Sequence, residues 1–90
     1  MNNIVRYLSE GVENARTAAE LSKLLRLDRR SIGAAVRRAR LEGVPICATH
    51  GDNPGYYIAQ NSKELEAYIA SRKRAIELEE EALFAIEKTL

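Results

Sequence analysis

Asp28-Arg29-Arg30-Ser31-Ile32-Gly33-Ala34-Ala35-Val36-Arg37-Arg38-Ala39-Arg40-Leu41-Glu42-Gly43 decides how the rest of the chain is read. Ile32, Ala35, Val36 and Ala39 recur at i, i+3, i+4 and i+7. At about 100° per residue this gathers them into one apolar stripe and predicts an amphipathic helix. Both ends carry their own signals. Asp28 suits the N-cap, where its carboxylate accepts from the unpaired N–H groups of the first turn, and Gly43 suits the left-handed position just beyond the last turn. Opposite the stripe lie Arg30, Ala34 and Arg37, with Gly33 and Arg38 on the flanks. Arg29 and Arg40 fall nearer the apolar boundary, from which they can reach sideways.

The polar face is one-sided. Positions 29–41 hold five Arg and no Asp or Glu, whereas a solvated helix ordinarily mixes signs so that i,i+4 pairs support it. Neighbouring like charges repel, and a polyanion relieves them. Arg in particular presents a planar fork that matches phosphate oxygens or the O6/N7 edge of guanine. The competing reading leaves the arginines on a solvated surface, neutralised by Glu10, Glu13 or the Glu-rich tail.

Ninety residues suit one small domain with an appendage, and 46% hydrophobic content excludes a disordered chain. With one Phe, four Tyr and no Trp, the core has to come from Leu, Ile, Val and Ala. It is therefore modest, and stability leans on oligomerisation. The net charge of +1 conceals a division: residues 1–60 carry nine basic against six acidic side chains, residues 61–90 five against seven. No segment approaches the length of a membrane span, and Met1-Asn2-Asn3-Ile4-Val5-Arg6-Tyr7-Leu8 lacks the apolar run of a secretory signal. A single cysteine closes no internal disulfide. The expectation is a cytoplasmic protein with no membrane partner.

Upstream, residues 3–10 read as a short helix with Ile4, Val5 and Leu8 on one side, ended by Gly11. Glu13 to Arg16 reads as a connector. Thr17 followed by Glu20 has the reciprocal pattern of a capping box. It opens a helix from Ala18 to about Arg26 whose stripe is Ala18, Leu21, Leu24 and Leu25. Only Leu27 then separates this helix from the Asp28 cap, so the two must cross as in a helix-turn-helix. Downstream of Gly43 the period drops to two. Val44–Thr49 and Tyr56–Ala59 are β-prone runs around the turn-forming stretch 50–55, which predicts a hairpin. Tyr56 and Ile58 share the strand face expected to lie beneath the helices, and Tyr57 the other. The tyrosines and Cys47 read as packing residues.

Three helices followed by Gly43-Val44-Pro45-Ile46, a Gly-containing hairpin and Gly55-Tyr56-Tyr57-Ile58 resemble a winged helix-turn-helix domain. The resemblance covers about residues 1–60. It is to the kind found at the N-terminus of the biotin operon repressor and in small bacterial and prophage proteins. It implies binding to double-stranded DNA, with Thr17 near a phosphate and Arg30, Ala34, Arg37 and Arg38 facing the major groove. Arg29 and Arg40 would hold the backbone on either side. The resemblance also implies contact through the hairpin tip by His50 and Asn53, although the tip, which also holds Asp52, has no Lys or Arg.

From Asn61, which with Glu64 fits a capping arrangement, neither Pro nor Gly interrupts the chain, so residues 61–90 form one long helix. Leu65, Ile69, Arg72, Ile76, Glu79, Leu83, Ile86 and Leu90 are spaced alternately four and three apart, a heptad seam with one cation and one anion in it. A parallel in-register homodimer would stack Arg72 on Arg72 and Glu79 on Glu79; an antiparallel one brings Arg72 near Glu79 of the other chain. The competing reading folds the helix, or its first half around Tyr68 and Ile69, over its own domain.

Enzyme chemistry finds no support. There is one His, one Cys and no Gly-rich phosphate loop, and Cys47 with His50 offers two ligands where a structural zinc site takes about four. No cofactor or metal is implied, and Glu79-Glu80-Glu81 reads as a solvated face. The expected architecture is mainly α with a small β-hairpin (α+β): a winged helix-turn-helix over 1–60 and a dimerising helix over 61–90. The expected function is a DNA-binding regulator or phage-type accessory factor that inserts helix 28–42 in the major groove as a homodimer. The alternative is a protein–protein adaptor whose arginine face docks an acidic protein and whose long helix joins a heterologous coiled coil.

Overall fold

The apolar stripe of the arginine-rich segment becomes the spine of the fold. The computed structural model describes residues 3–90; Met1 and Asn2, where the reading of the N-terminus begins, lie outside the described residues. Helix α2 (Arg29–Leu41) buries Ile32, Val36 and Ala39. It crosses α1 (Ala18–Leu25), which contributes Ala18 and Leu21. Ile4, from a 3-10 turn over Asn3–Tyr7, and Ile46 complete a core in which each of these side chains is at most 4% exposed. Both helices start as their capping signals predict. Thr17 and Glu20 form the reciprocal capping box, and Asp28 accepts from the Ser31 N–H at 2.7 Å. Helix α2 stops at Glu42, and Gly43 follows at φ 96°, a left-handed conformation that a side chain would strain.

Three strands form one antiparallel sheet in the order β1 (Arg16–Thr17), β3 (Gly55–Ile58), β2 (Ile46–Ala48). Tyr56 and Ile58 pack against the helical core, as the strand alternation requires. Cys47 and Tyr57 are cross-strand partners on the opposite face, 0% and 7% exposed. The expected hairpin is therefore present, with a third strand that the alternation did not reveal. Gly55 lets β1 approach, since a Cβ there would come within 3.0 Å of the Ala15 Cβ.

The N-terminal segment differs from the expected helix over 3–10. It is a 3-10 turn ending at Tyr7, after which the chain extends along β3: the Ile58 N–H donates to the Ser9 carbonyl at 2.9 Å and the Gly11 N–H to the Ile58 carbonyl at 3.0 Å. Pairing with the central strand satisfies backbone groups that such a short helix would leave open. The expected connector 13–16 is likewise partly ordered, as a 3-10 turn over Val12–Asn14 leading into β1.

Helix α3 (Ser62–Glu87) begins at Asn61, which accepts from the Glu64 N–H at 2.9 Å, and runs 26 residues, about 39 Å. None of its residues is buried. Among the described residues no helix is long and apolar enough to cross a membrane.

Candidate nucleic-acid interface

The Cα–Cβ bonds opposite the buried stripe of α2 carry Arg30, Ala34 and Arg37, with Gly33 and Arg38 beside them, and all five residues are exposed. Among the described residues, neither Arg30, Arg37 nor Arg38 takes part in an ion pair or hydrogen bond with a side chain elsewhere. The ion pair found there joins Arg74 to Glu77 on α3, at 3.9 Å. Among the described residues, no carboxylate of Glu10, Glu13 or α3 forms an ion pair with an arginine of α2. Between the guanidinium groups the surface is low, because Ala34 is small and a Cβ at Gly33 would meet nothing within 4 Å. The result is an exposed cationic face with a low centre at Gly33 and Ala34.

The other expected contact residues are held within the fold. Arg29 donates through Nη2 to the Asp52 carbonyl and, at 3.4 Å, to Asn53 Oδ1. The same Asn53 oxygen accepts from the Ala19 N–H at 3.2 Å. The hairpin tip is thus folded onto the N-termini of α1 and α2. Thr17 Oγ1 accepts from the Glu20 N–H and donates to Glu20 Oε1, both at 3.1 Å. Hydrogen bonds from Thr17 hold the Glu20 carboxyl below its ordinary range, the backbone N–H contributing most. A phosphate approaching this helix end meets an ionised carboxylate.

Arg40 spans three elements. Its Nε donates to the Ile46 carbonyl and its Nη2 to the Tyr68 hydroxyl, each at 2.9 Å, and the guanidinium lies 5.6 Å from the Tyr68 ring centroid. It therefore ties the last turn of α2 to β2 and to α3. His50 is exposed and lines a cleft of about 280 Å³ with Arg40, Thr49, Tyr56, Tyr68 and Arg72. Cys47 sits beneath α3, and burial pushes its thiol above the ordinary cysteine range.

Of the expected DNA-contact set, the structure brings Arg30, Ala34, Arg37 and Arg38 onto one open face. Arg29, Asn53, Thr17 and Arg40 are joined to other residues of the body, and His50, exposed, lines the cleft with Tyr68 and Arg72 rather than the arginine face. The Asp52 carbonyl as partner of Arg29, and Tyr68 as partner of Arg40, are what sequence reasoning missed, although it offers Tyr68 as a residue by which the first half of α3 lies over the body. On α3, Leu65 is half-buried, while Ile69, Arg72, Ile76, Glu79, Leu83, Ile86 and Leu90 are exposed. No protein family, curated protein or solved structure matches the chain.

Proposed function

We propose that this chain is a winged helix-turn-helix protein that lays α2 in the major groove of double-stranded DNA, and that it works as a dimer joined through α3. Its role is that of a regulator or phage-type accessory factor in the cytoplasm. One observation carries the reading: Arg30, Arg37 and Arg38 share an exposed face that has no carboxylate partner among the described residues. Polyanionic phosphates supply the missing charge, and guanidinium forks reach guanine edges. The crossing of α1 and α2 over a three-stranded sheet supports the same reading, because it lifts the arginine face clear of the body.

Titration of a labelled random-sequence duplex at several salt concentrations tests this. With three to five phosphates neutralised per protomer, log affinity falls with log salt at a slope of about −3 to −4.5. Arg30→Ala/Arg37→Ala abolishes binding without unfolding the protein. In a preferred site, Arg37→Ala alone weakens binding by about 1 to 3 kcal/mol and relaxes discrimination at one base pair. A slope near −1, or a double variant that binds like wild type, removes DNA from the account.

The hairpin tip favours a second reading. The Asp52 carbonyl and the Asn53 side chain accept from Arg29 and from the Ala19 N–H, and the tip presents no Lys or Arg to a backbone. A protein adaptor that meets an acidic partner through α2 needs no such tip contact. It is retained only weakly on heparin and DNA-cellulose at moderate salt, where the DNA-binding protein is held.

A further inference from the structure

The body covers one flank of α3 and leaves the next one bare. Tyr57, Ala48 and Thr49 face Glu64, Ala67, Tyr68 and Ser71 across a shared cleft. At 100° per residue, those α3 positions centre about a quarter-turn from the heptad seam that runs from Leu65 to Leu90. The seam stays open after folding: Ile69, Ile76, Leu83 and Ile86 are 42%, 48%, 53% and 63% exposed. The seam edge away from the body carries Lys73 and, seven residues on, Glu80.

Charge along α3 has a direction. Arg72, Lys73 and Arg74 form a cationic block, and Glu77 with Glu79, Glu80 and Glu81 an anionic one. A parallel in-register pair sets like blocks side by side, whereas an antiparallel pair sets each cationic block near the partner's anionic block.

We infer that α3 pairs antiparallel with α3 of a second copy of this chain, in the register that brings Leu65 level with the partner's Leu90; this rests on the dimeric reading above. Ile69 then meets the partner's Ile86, Arg72 the partner's Leu83, and Ile76 the partner's Glu79. The Arg72 stem covers the leucine, and its guanidinium lies within about 6 Å along the axis of the partner's Glu79. Lys73 faces the partner's Glu80, twice by symmetry. Sliding the helices by one heptad one way puts Lys73 against Lys73 and Glu66 against the partner's Glu80; sliding them the other way puts Glu80 against Glu80 and Lys73 against the partner's Glu87 but leaves Leu65 and Ile69 without a partner, so charge disfavours the first slide and seam overlap the second. The inferred register leaves Glu66 facing the partner's Glu87 near the solvated ends, where salt screens the repulsion.

Sedimentation of the full chain over a range of concentrations, with helicity followed by circular dichroism, tests the pairing. Wild type sediments as a dimer. Lys73→Glu weakens association about tenfold, having turned two attractions into two repulsions. Lys73→Glu/Glu80→Lys restores it. Under mild oxidation, Leu65→Cys chains cross-link to Leu90→Cys chains while Leu90→Cys chains alone do not, and the buried Cys47 takes no part. A monomeric wild type overturns the pairing and the dimeric part of the proposed function, and DNA affinity is read separately in the titration above. A dimer that cross-links Leu90→Cys to itself overturns the orientation alone, and a Lys73→Glu variant as tight as wild type overturns the register.

Discussion

Gly33 pairs a conformational cost with an empty neighbourhood: it lies mid-helix, and a methyl added there meets no atom within 4 Å. Gly33→Ala is therefore expected to stabilise the fold by about 0.5 to 1 kcal/mol, read as a rise of a few degrees in Tm. A fall in Tm would mean that the surface around Gly33 is not open. Asp28 makes a second prediction. Its carboxyl is held below the ordinary range by hydrogen bonds from Ser31, chiefly the backbone N–H. A depressed folded-state pKa stabilises fully above the unfolded value and is lost as pH falls through the lower folded one, which places the loss below about pH 4. Asn caps a helix comparably but does not titrate. Asp28→Asn should be close to neutral at pH 7 and should flatten the acid limb of Tm against pH, leaving the contribution of Glu20. An acid limb identical to wild type would exclude Asp28 from it.

At the scale of elements, what was legible in the sequence was what is local in the chain. The N-caps of α1, α2 and α3 each join a side chain to an N–H three residues on, so Thr17, Asp28 and Asn61 could be read directly. The stripe of α2 was legible because its period repeats over about two turns. Strand β1 was not, since two residues have no alternation and its partners, Tyr56 and Gly55, lie about 40 positions away. The site divides in the same way. The open face of Arg30, Arg37 and Arg38 follows from helix geometry alone. The fates of Arg29 and Arg40 depend on the Asp52 and Ile46 carbonyls, and a backbone acceptor leaves no mark on the sequence. Residues 3–10 went the other way: their apolar spacing suits a helix, but pairing with Ile58 takes the backbone instead.

The whole molecule is elongated because α3 outruns the body. The radius of gyration is 15.0 Å, against about 12 Å for a compact chain of this length, and the longest extent is 46 Å. Folding one chain therefore leaves much of its apolar surface in water, and the proposed pairing removes it. The junction with the body is short and tied on both sides: Ala59 donates to the Pro45 carbonyl at 3.0 Å and the Gln60 N–H to Glu64 Oε1 at 2.9 Å. A further tie is Arg40, which grips Tyr68 from the last turn of α2.

In the proposed DNA-binding dimer, that grip bears on whether the molecule measures or merely reaches. With α2 and α3 locked at a fixed angle, the proposed two-armed assembly would behave as a rigid caliper and accept duplex sites at one separation. Cutting the tie with Arg40→Ala should turn the caliper into a hinge, giving weaker binding at the best spacing and comparable binding one or two base pairs to either side. Affinities for a set of duplexes differing only in spacer length would reveal it. An unchanged, sharp optimum would place the stiffness in the junction rather than in the arginine.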